Sequence, residues 1–138
     1  MKKQNFILTA LFILLFIVRT VFAFPTRTRV EEFKGMKSIE ISVVSGDCII
    51  TSDNSKNVHV EIEYSESVED AFKPEFIERG KVLKLKERWY GSGSGNVVWK
   101  ITIPKNFDIE FSSASGDMEI ESCSGDMEFE TASGDIQM

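Results

Sequence analysis

The last third of the chain repeats with a period of nine residues, and that period confines it to β-structure. Ser115-Gly116-Asp117, Ser124-Gly125-Asp126 and Ser133-Gly134-Asp135 recur at steps of 9. Each follows a small residue (Ala114, Cys123, Ala132) and precedes an apolar, polar, apolar triplet: Met118-Glu119-Ile120, Met127-Glu128-Phe129 and Ile136-Gln137-Met138. One step earlier, Asp108-Ile109-Glu110-Phe111 has the same strand pattern without the Ser-Gly. A distant copy stands at Val44-Ser45-Gly46-Asp47-Cys48-Ile49-Ile50, after Ile39-Glu40-Ile41, with Ile49 breaking the alternation. Alternation with period two is that of a strand with one buried face. In the tetrad, Gly admits the positive φ of a tight turn and Asp can hydrogen-bond neighbouring backbone. Nine residues therefore read as one strand and one turn.

Between the copies the pattern stays that of strands. Val58, Val60, Ile62 and Tyr64 alternate with His59, Glu61 and Glu63, and Ser65 to Pro74 reads as an irregular connection. Phe76-Ile77 and Val82 to Leu85 flank Glu78-Arg79-Gly80-Lys81, a turn signal that predicts a hairpin. Lys84 to Tyr90 and Val97 to Ile103 flank Gly91-Ser92-Gly93-Ser94-Gly95-Asn96, read as a second hairpin loop, and Pro104 closes the later strand because it cannot donate to a ladder. No amphipathic helix of useful length is signalled. Strands at this spacing form either an antiparallel meander or a coil whose strands stack in parallel, and turns of one repeated chemistry favour the coil.

The Ser-Gly-Asp repeats, Ile39-Glu40-Ile41 leading into Val44-Ser45-Gly46-Asp47, and a leader followed by Glu31-Glu32-Phe33 resemble the bacterial "putative adhesin" family of exported β-strand-repeat proteins. That resemblance covers nearly the whole chain after the leader. It implies an all-β fold in which N-terminal strands and hairpins lead into a right-handed parallel β-helix-like solenoid. The expected organisation is a signal peptide over 1–23 and one β-strand-repeat domain over 24–138, truncated or uncapped where it stops inside a repeat at Met138. An uncovered strand edge there would be a template for self-association.

The leader reading rests on Lys2 and Lys3, an apolar run of 13 residues from Phe6 to Val18, and Val21 and Ala23 at the -3 and -1 positions of a cleavage site. A membrane span needs about 20 apolar residues, and Arg19 interrupts this run first. Without Lys2, Lys3 and Arg19 the 16 basic residues become 13 against 22 acids, a formal charge of -9. After Lys105 there are nine acids and no Lys or Arg. This balance, with no basic cluster along the sequence, argues against a nucleic acid partner.

Residues with chemical potential are few, and each has a structural reading. His59, Glu61 and Glu63 share a strand face as a metal trio would, yet solvated strand faces produce the same alternation. The Gly91 to Gly95 segment lacks the Lys-Ser/Thr of a phosphate-binding loop. Trp89, Tyr90 and Trp99 are the aromatics of a sugar-stacking platform, but Trp99 shares its parity with Val97, Ile101 and Ile103 and reads as core. Cys48 and Cys123 occupy apolar slots and read as free thiols. Asp108, Asp117, Asp126 and Asp135 stand in phase, but with one Gly directly before the Asp they miss the Gly-Gly-x-Gly-x-Asp register of calcium β-rolls and read as turn caps.

No catalytic, cofactor-binding or metal residue is therefore assigned, and no cofactor is expected. The expected function is non-catalytic binding or scaffolding at the cell envelope, adhesin-like by resemblance, with an envelope protein or glycan as partner and a periplasmic, surface or secreted location. The alternatives are a carbohydrate-active β-helix enzyme and a calcium-stabilised structural repeat.

Overall fold

Eleven strands, most of them alternating inward apolar with outward polar residues, lie among the residues that the structure, a computed structural model, describes: 25–91 and 95–138. The expected signal peptide lies outside the described residues. The strands are β1 (Thr26–Phe33), β2 (Ser38–Val43), β3 (Asp47–Asp53), β4 (Val58–Ser65), β5 (Phe72–Arg79), β6 (Val82–Trp89), β7 (Val97–Pro104), β8 (Asp108–Ser113), β9 (Met118–Glu121), β10 (Met127–Thr131) and β11 (Ile136–Gln137). One 3-10 turn, Glu66–Val68, precedes β5.

The strands form two mixed sheets, ordered β1-β4-β7-β3-β9-β11 and β10-β8-β2-β6-β5. From β7 onward each turn carries the chain to the opposite sheet. Strand β10 then lies parallel to β8 with Met127 opposite Ile109, and β11 parallel to β9 with Ile136 opposite Met118. Both offsets are 18 residues, so strands two nine-residue units apart pair in parallel as expected, but within two mixed sheets and not in a right-handed solenoid that runs from end to end.

The isolated copy at 39–50 belongs to the same stack. Ile39 pairs with Ile109 and Cys48 with Met118, a common offset of 70, while the other edges of β2 and β3 meet β6 and β7, also in parallel. Four two-strand rungs follow one another in space: β6/β7, β2/β3, β8/β9 and β10/β11. Antiparallel strands flank the first rung, β5 beside β6 and β4 then β1 beside β7.

Two details differ from the sequence expectation. The Gly80 turn does join β5 and β6 as a hairpin, at φ 59, but β6 and β7 belong to opposite sheets and so do not form the second hairpin expected around Gly91 to Asn96. On these opposite sheets Leu85 and Trp99 both face the interior. Strand β1 carried no strand signal because its inward parity is charged: Arg29 lies over the Phe76 ring at 4.9 Å, beside Glu31. Inward charge of this kind is how an edge strand avoids pairing with another chain.

Core side chains run as rows across the rungs, Leu83–Ile39–Ile109–Met127 in one sheet and Trp99–Cys48–Met118–Ile136 in the other. Each fully buried aliphatic contributes roughly 1.5–3 kcal/mol. A register slip of one residue would turn every row outward, so the rows fix the register.

Candidate functional site

The corners after β2, β8 and β10 stack so closely that side chains there are dictated by the rung beneath. A Cβ on Gly116 would stand 2.0 Å from the Gly46 carbonyl oxygen, and one on Gly134 would stand 2.1 Å from that of Gly116. These glycines are required by close approach, not by the positive φ that the sequence suggested. The Asp that follows caps the next rung: Asp117 N–H donates to Asp47 Oδ1 at 3.0 Å, and Asp135 N–H to Asp117 Oδ1 at 2.9 Å. On the opposite side, Asp126 N–H donates to Asp108 Oδ1 at 3.1 Å.

Each corner glycine N–H also needs an acceptor. Ser113 Oγ accepts from Gly116 at 2.8 Å and Thr131 Oγ1 from Gly134 at 2.9 Å. At Gly46 the equivalent residue is Val43, which has no acceptor, and Glu87 of β6 fills the gap. Its Oε1 accepts from the N–H groups of Ser45 (3.0 Å) and Gly46 (3.1 Å), from the Ser45 hydroxyl (3.5 Å) and from Trp89 Nε1 (2.6 Å). Oε2 accepts from Trp99 Nε1 at 3.1 Å. Glu87 is 5% exposed, and among the described residues it has no cationic partner. Both carboxylate oxygens are thus engaged by backbone and indole donors. Sequence reading passed over Glu87, although its parity with Leu83, Leu85 and Trp89 marks it as inward.

The other singled-out residues do not converge. His59 is exposed on the outer face of β4, and Glu63 pairs with Lys100 at 2.7 Å, a hydrogen bond that holds the Lys100 ammonium above its ordinary value. Among the described residues no group of three His, Cys, Asp or Glu side chains is arranged to hold a metal ion. Trp99 is fully buried and Trp89 half-buried, both against Phe72, while Tyr90 is 59% exposed, so the three do not form one platform. Cys48 and Cys123 are unpaired. Burial pushes both thiols up, most strongly Cys48, where the Glu87 and Asp47 charges add to the effect.

What the fold does organise is an outward face. On the sheet built by β6, β2, β8 and β10, Lys84, Glu40, Glu110 and Glu128 fall in one row, with Lys86, Ser42, Ser112 and Glu130 beside it. Lys84 Nζ pairs with Glu40 at 2.8 Å. Neighbouring strands lie about 4.8 Å apart, so Glu110 and Glu128 form a fixed acidic ladder beyond that pair. A shallow cavity of about 400 Å³ lies among Glu40, Asp108, Glu110, Asp126 and Glu128.

With this geometry in place, comparison gives a family and a fold. The family model described as Toastrack DUF4097 matches residues 36–138. A "putative cell adhesion protein" from Clostridium sporogenes ATCC 15579 is similar in structure, with a TM-score of 0.55 at 14% identity over 80% of this chain and 59% of that one. A "putative adhesin" from Bacteroides fragilis NCTC 9343 gives 0.48 at 13% identity over 84% and 63%. A "putative lipid binding protein" from Parabacteroides distasonis ATCC 8503 gives 0.46 at 17% over 70% and 41%. At these identities the Clostridium likeness is one of fold, and this chain spans about three fifths of that structure. Among curated proteins no sequence matches.

Proposed function

The chain belongs to the Toastrack DUF4097 family, and from that membership we propose that it is an exported, non-catalytic binding or scaffold protein of the cell envelope with adhesin-like contacts. The observation that carries this reading is the outward charged ladder, Lys84–Glu40–Glu110–Glu128, held at strand spacing on a frame whose register the core rows fix. Such a face presents many fixed groups at once, which suits contact with an extended partner. The buried carboxylate, by contrast, is 5% exposed and engaged through both oxygens by its own protein's donors, which suits a structural role. The description of the Clostridium structure as a "putative cell adhesion protein" supports the same reading. Export rests on the leader expected over 1–23.

Immobilised protein exposed to labelled envelope fractions and a glycan panel tests the proposal. Saturable binding that falls in Glu110→Lys/Glu128→Lys, with no new reducing ends or unsaturated sugars in the supernatant, is the expected result. Release of cleaved saccharide would replace binding with the enzyme alternative. A mature N-terminus at Phe24 is expected for exported material, and recovery of a membrane-held product starting at Met1 would reject the leader.

A further inference from the structure

The cations of the described residues fall into three groups: those in ion pairs, those without one at the loop end of the stack, and Lys73 and Lys86, which stand on β5 and β6 without one. Arg27, Arg29, Lys84, Arg88 and Lys100, all on strands, are paired with carboxylates. At the end of the stack opposite the Gly46, Gly116 and Gly134 corners, Lys34, Lys37, Lys56, Arg79, Lys81 and Lys105 have no ion pair among the described residues. Three of these, Lys37, Lys56 and Lys105, come from three different loops, β1–β2, β3–β4 and β7–β8, and line one cavity of about 570 Å³. Along the sequence they are isolated lysines, which is why no basic cluster was legible there.

The rest of the wall narrows the ligand. Asp53 and Asp108 also line the cavity, each outside ion-pair range of the lysines and each with one oxygen committed, Asp53 Oδ1 to Ser55 N–H at 2.8 Å and Asp108 Oδ1 to Asp126 N–H at 3.1 Å. Their second oxygens are free to accept from hydroxyls. Asn106 is held at φ 59, its N–H donating to Ser124 Oγ (3.3 Å) and its Oδ1 accepting from that hydroxyl (3.0 Å). A non-glycine residue in the left-handed region is uncommon, and here the arrangement leaves the Asn106 amide NH₂ without a protein acceptor among the described residues. The wall thus offers ammonium groups and an amide donor beside carboxylate acceptors, a combination that fits a molecule bearing an anionic group and several hydroxyls. A long polyanion is disfavoured by the two carboxylates and by the formal charge of -6. The volume falls within the range of about 300–1,000 Å³ typical of small-molecule sites.

We infer that this loop-end cavity binds a short acidic saccharide, with Lys37, Lys56 and Lys105 gripping its anionic group and Asp53, Asp108 and Asn106 reading its hydroxyls. The inference rests on the binding reading above and names a ligand class for it, at a place that adjoins the charged ladder at Asp108.

Calorimetric titration with trigalacturonate, a sulfated trisaccharide and neutral maltotriose tests it, the first two arms separating carboxylate from sulfate recognition. At least one acidic probe binds tenfold or more tighter than maltotriose, and binding weakens with salt as exposed charge contacts do. Lys37→Gln/Lys56→Gln/Lys105→Gln reduces affinity at least tenfold, whereas Arg27→Gln/Lys73→Gln/Arg88→Gln, which removes the same charge from β1, β5 and β6, changes it less than twofold. Circular dichroism confirms that both variants fold. Equal affinity for maltotriose, no binding of either acid, or full binding by the loop variant overturns the site. Envelope binding unaffected by the loop variant, alongside failed acid probes, removes the cavity alone, whereas loss of all envelope binding by the native chain removes the adhesin-like reading as well.

Discussion

At the corners after β2, β8 and β10 the rungs touch backbone to backbone, while at the opposite end the turns after β3, β7 and β9 differ from one another in length and conformation. The first side has buried glycines under neighbouring carbonyls and an Asp-to-backbone ladder from Asp47 through Asp117 to Asp135. The second has Asn106 and Ser122 at positive φ and Gly125 at φ 129. One Ser-Gly-Asp tetrad thus serves two geometries, Gly116 and Gly134 without a positive φ on the first side and Gly125 at φ 129 on the second, where a Cβ would also stand 2.5 Å from the Phe107 carbonyl oxygen. The difference separates duties: stacking fixes the spacing of the rungs, and the free loops are where side chains can be placed for ligands.

Removing the keystone of the stacked side gives the largest expected effect. Glu87→Ala strips the acceptor from two corner N–H groups and two indoles, and with each unsatisfied buried donor costing about 1–3 kcal/mol, a loss of about 4 kcal/mol in urea unfolding is expected after partial relaxation. A loss below 1 kcal/mol would show that water replaces the carboxylate. Gly116→Ala is next, at about 2–3 kcal/mol by overpacking against the Gly46 carbonyl. Gly80→Ala, in open space at φ 59, is its control and costs about 1 kcal/mol. Equal losses at the two glycines would remove the distinction between close approach and backbone conformation.

Asp117→Ala costs about 1 kcal/mol for one lost cap, whereas Asp117→Asn retains the Oδ1 acceptor and stays within about 0.5 kcal/mol. A melting temperature that rises with calcium in the native chain and not in Asp117→Asn would restore the cation reading. The smallest effect compares the cysteines. Cys48 follows the stacked corner and is buried, while Cys123 sits in the turn after β9 and is half-buried. Thiol labelling in native conditions modifies Cys123 first. A thiol raised by burial favours the fold below its unfolded value of 9.0, and stability falls as pH rises above it because the unfolded chain then loses its proton first. By pH 9.5 the loss is roughly 0.5–1 kcal/mol, and it is smaller in Cys48→Ala, where only the less buried Cys123 remains.

Strand positions were legible because period-two alternation is a local signal: β4, the β5–β6 hairpin and the inward Trp99 follow from it directly. The parallel stacking was legible from the turns, but its span was not, since nothing local says that strands two units of nine apart pair. The placement of β6 and β7 on opposite sheets was hidden because a glycine-rich segment between two strands looks the same whether they pair or face each other across a core. The lysine cavity was hidden for a related reason: residues 37, 56 and 105 meet only once the rungs are stacked.

The placement of β2 and β3 between β6/β7 and β8/β9 also sets an order of events. Repeat proteins ordinarily propagate outward from any nucleus, each unit docking on the one made just before it. Here the rung made early has its first parallel partners about 44 and 51 residues later and its second about 70 residues later. It therefore waits with bare edges while the intervening strands are assembled. Closing such long loops before any contact rewards them slows folding, so this chain should refold as one late, concerted step in which the middle of the stack and its repeats become ordered together.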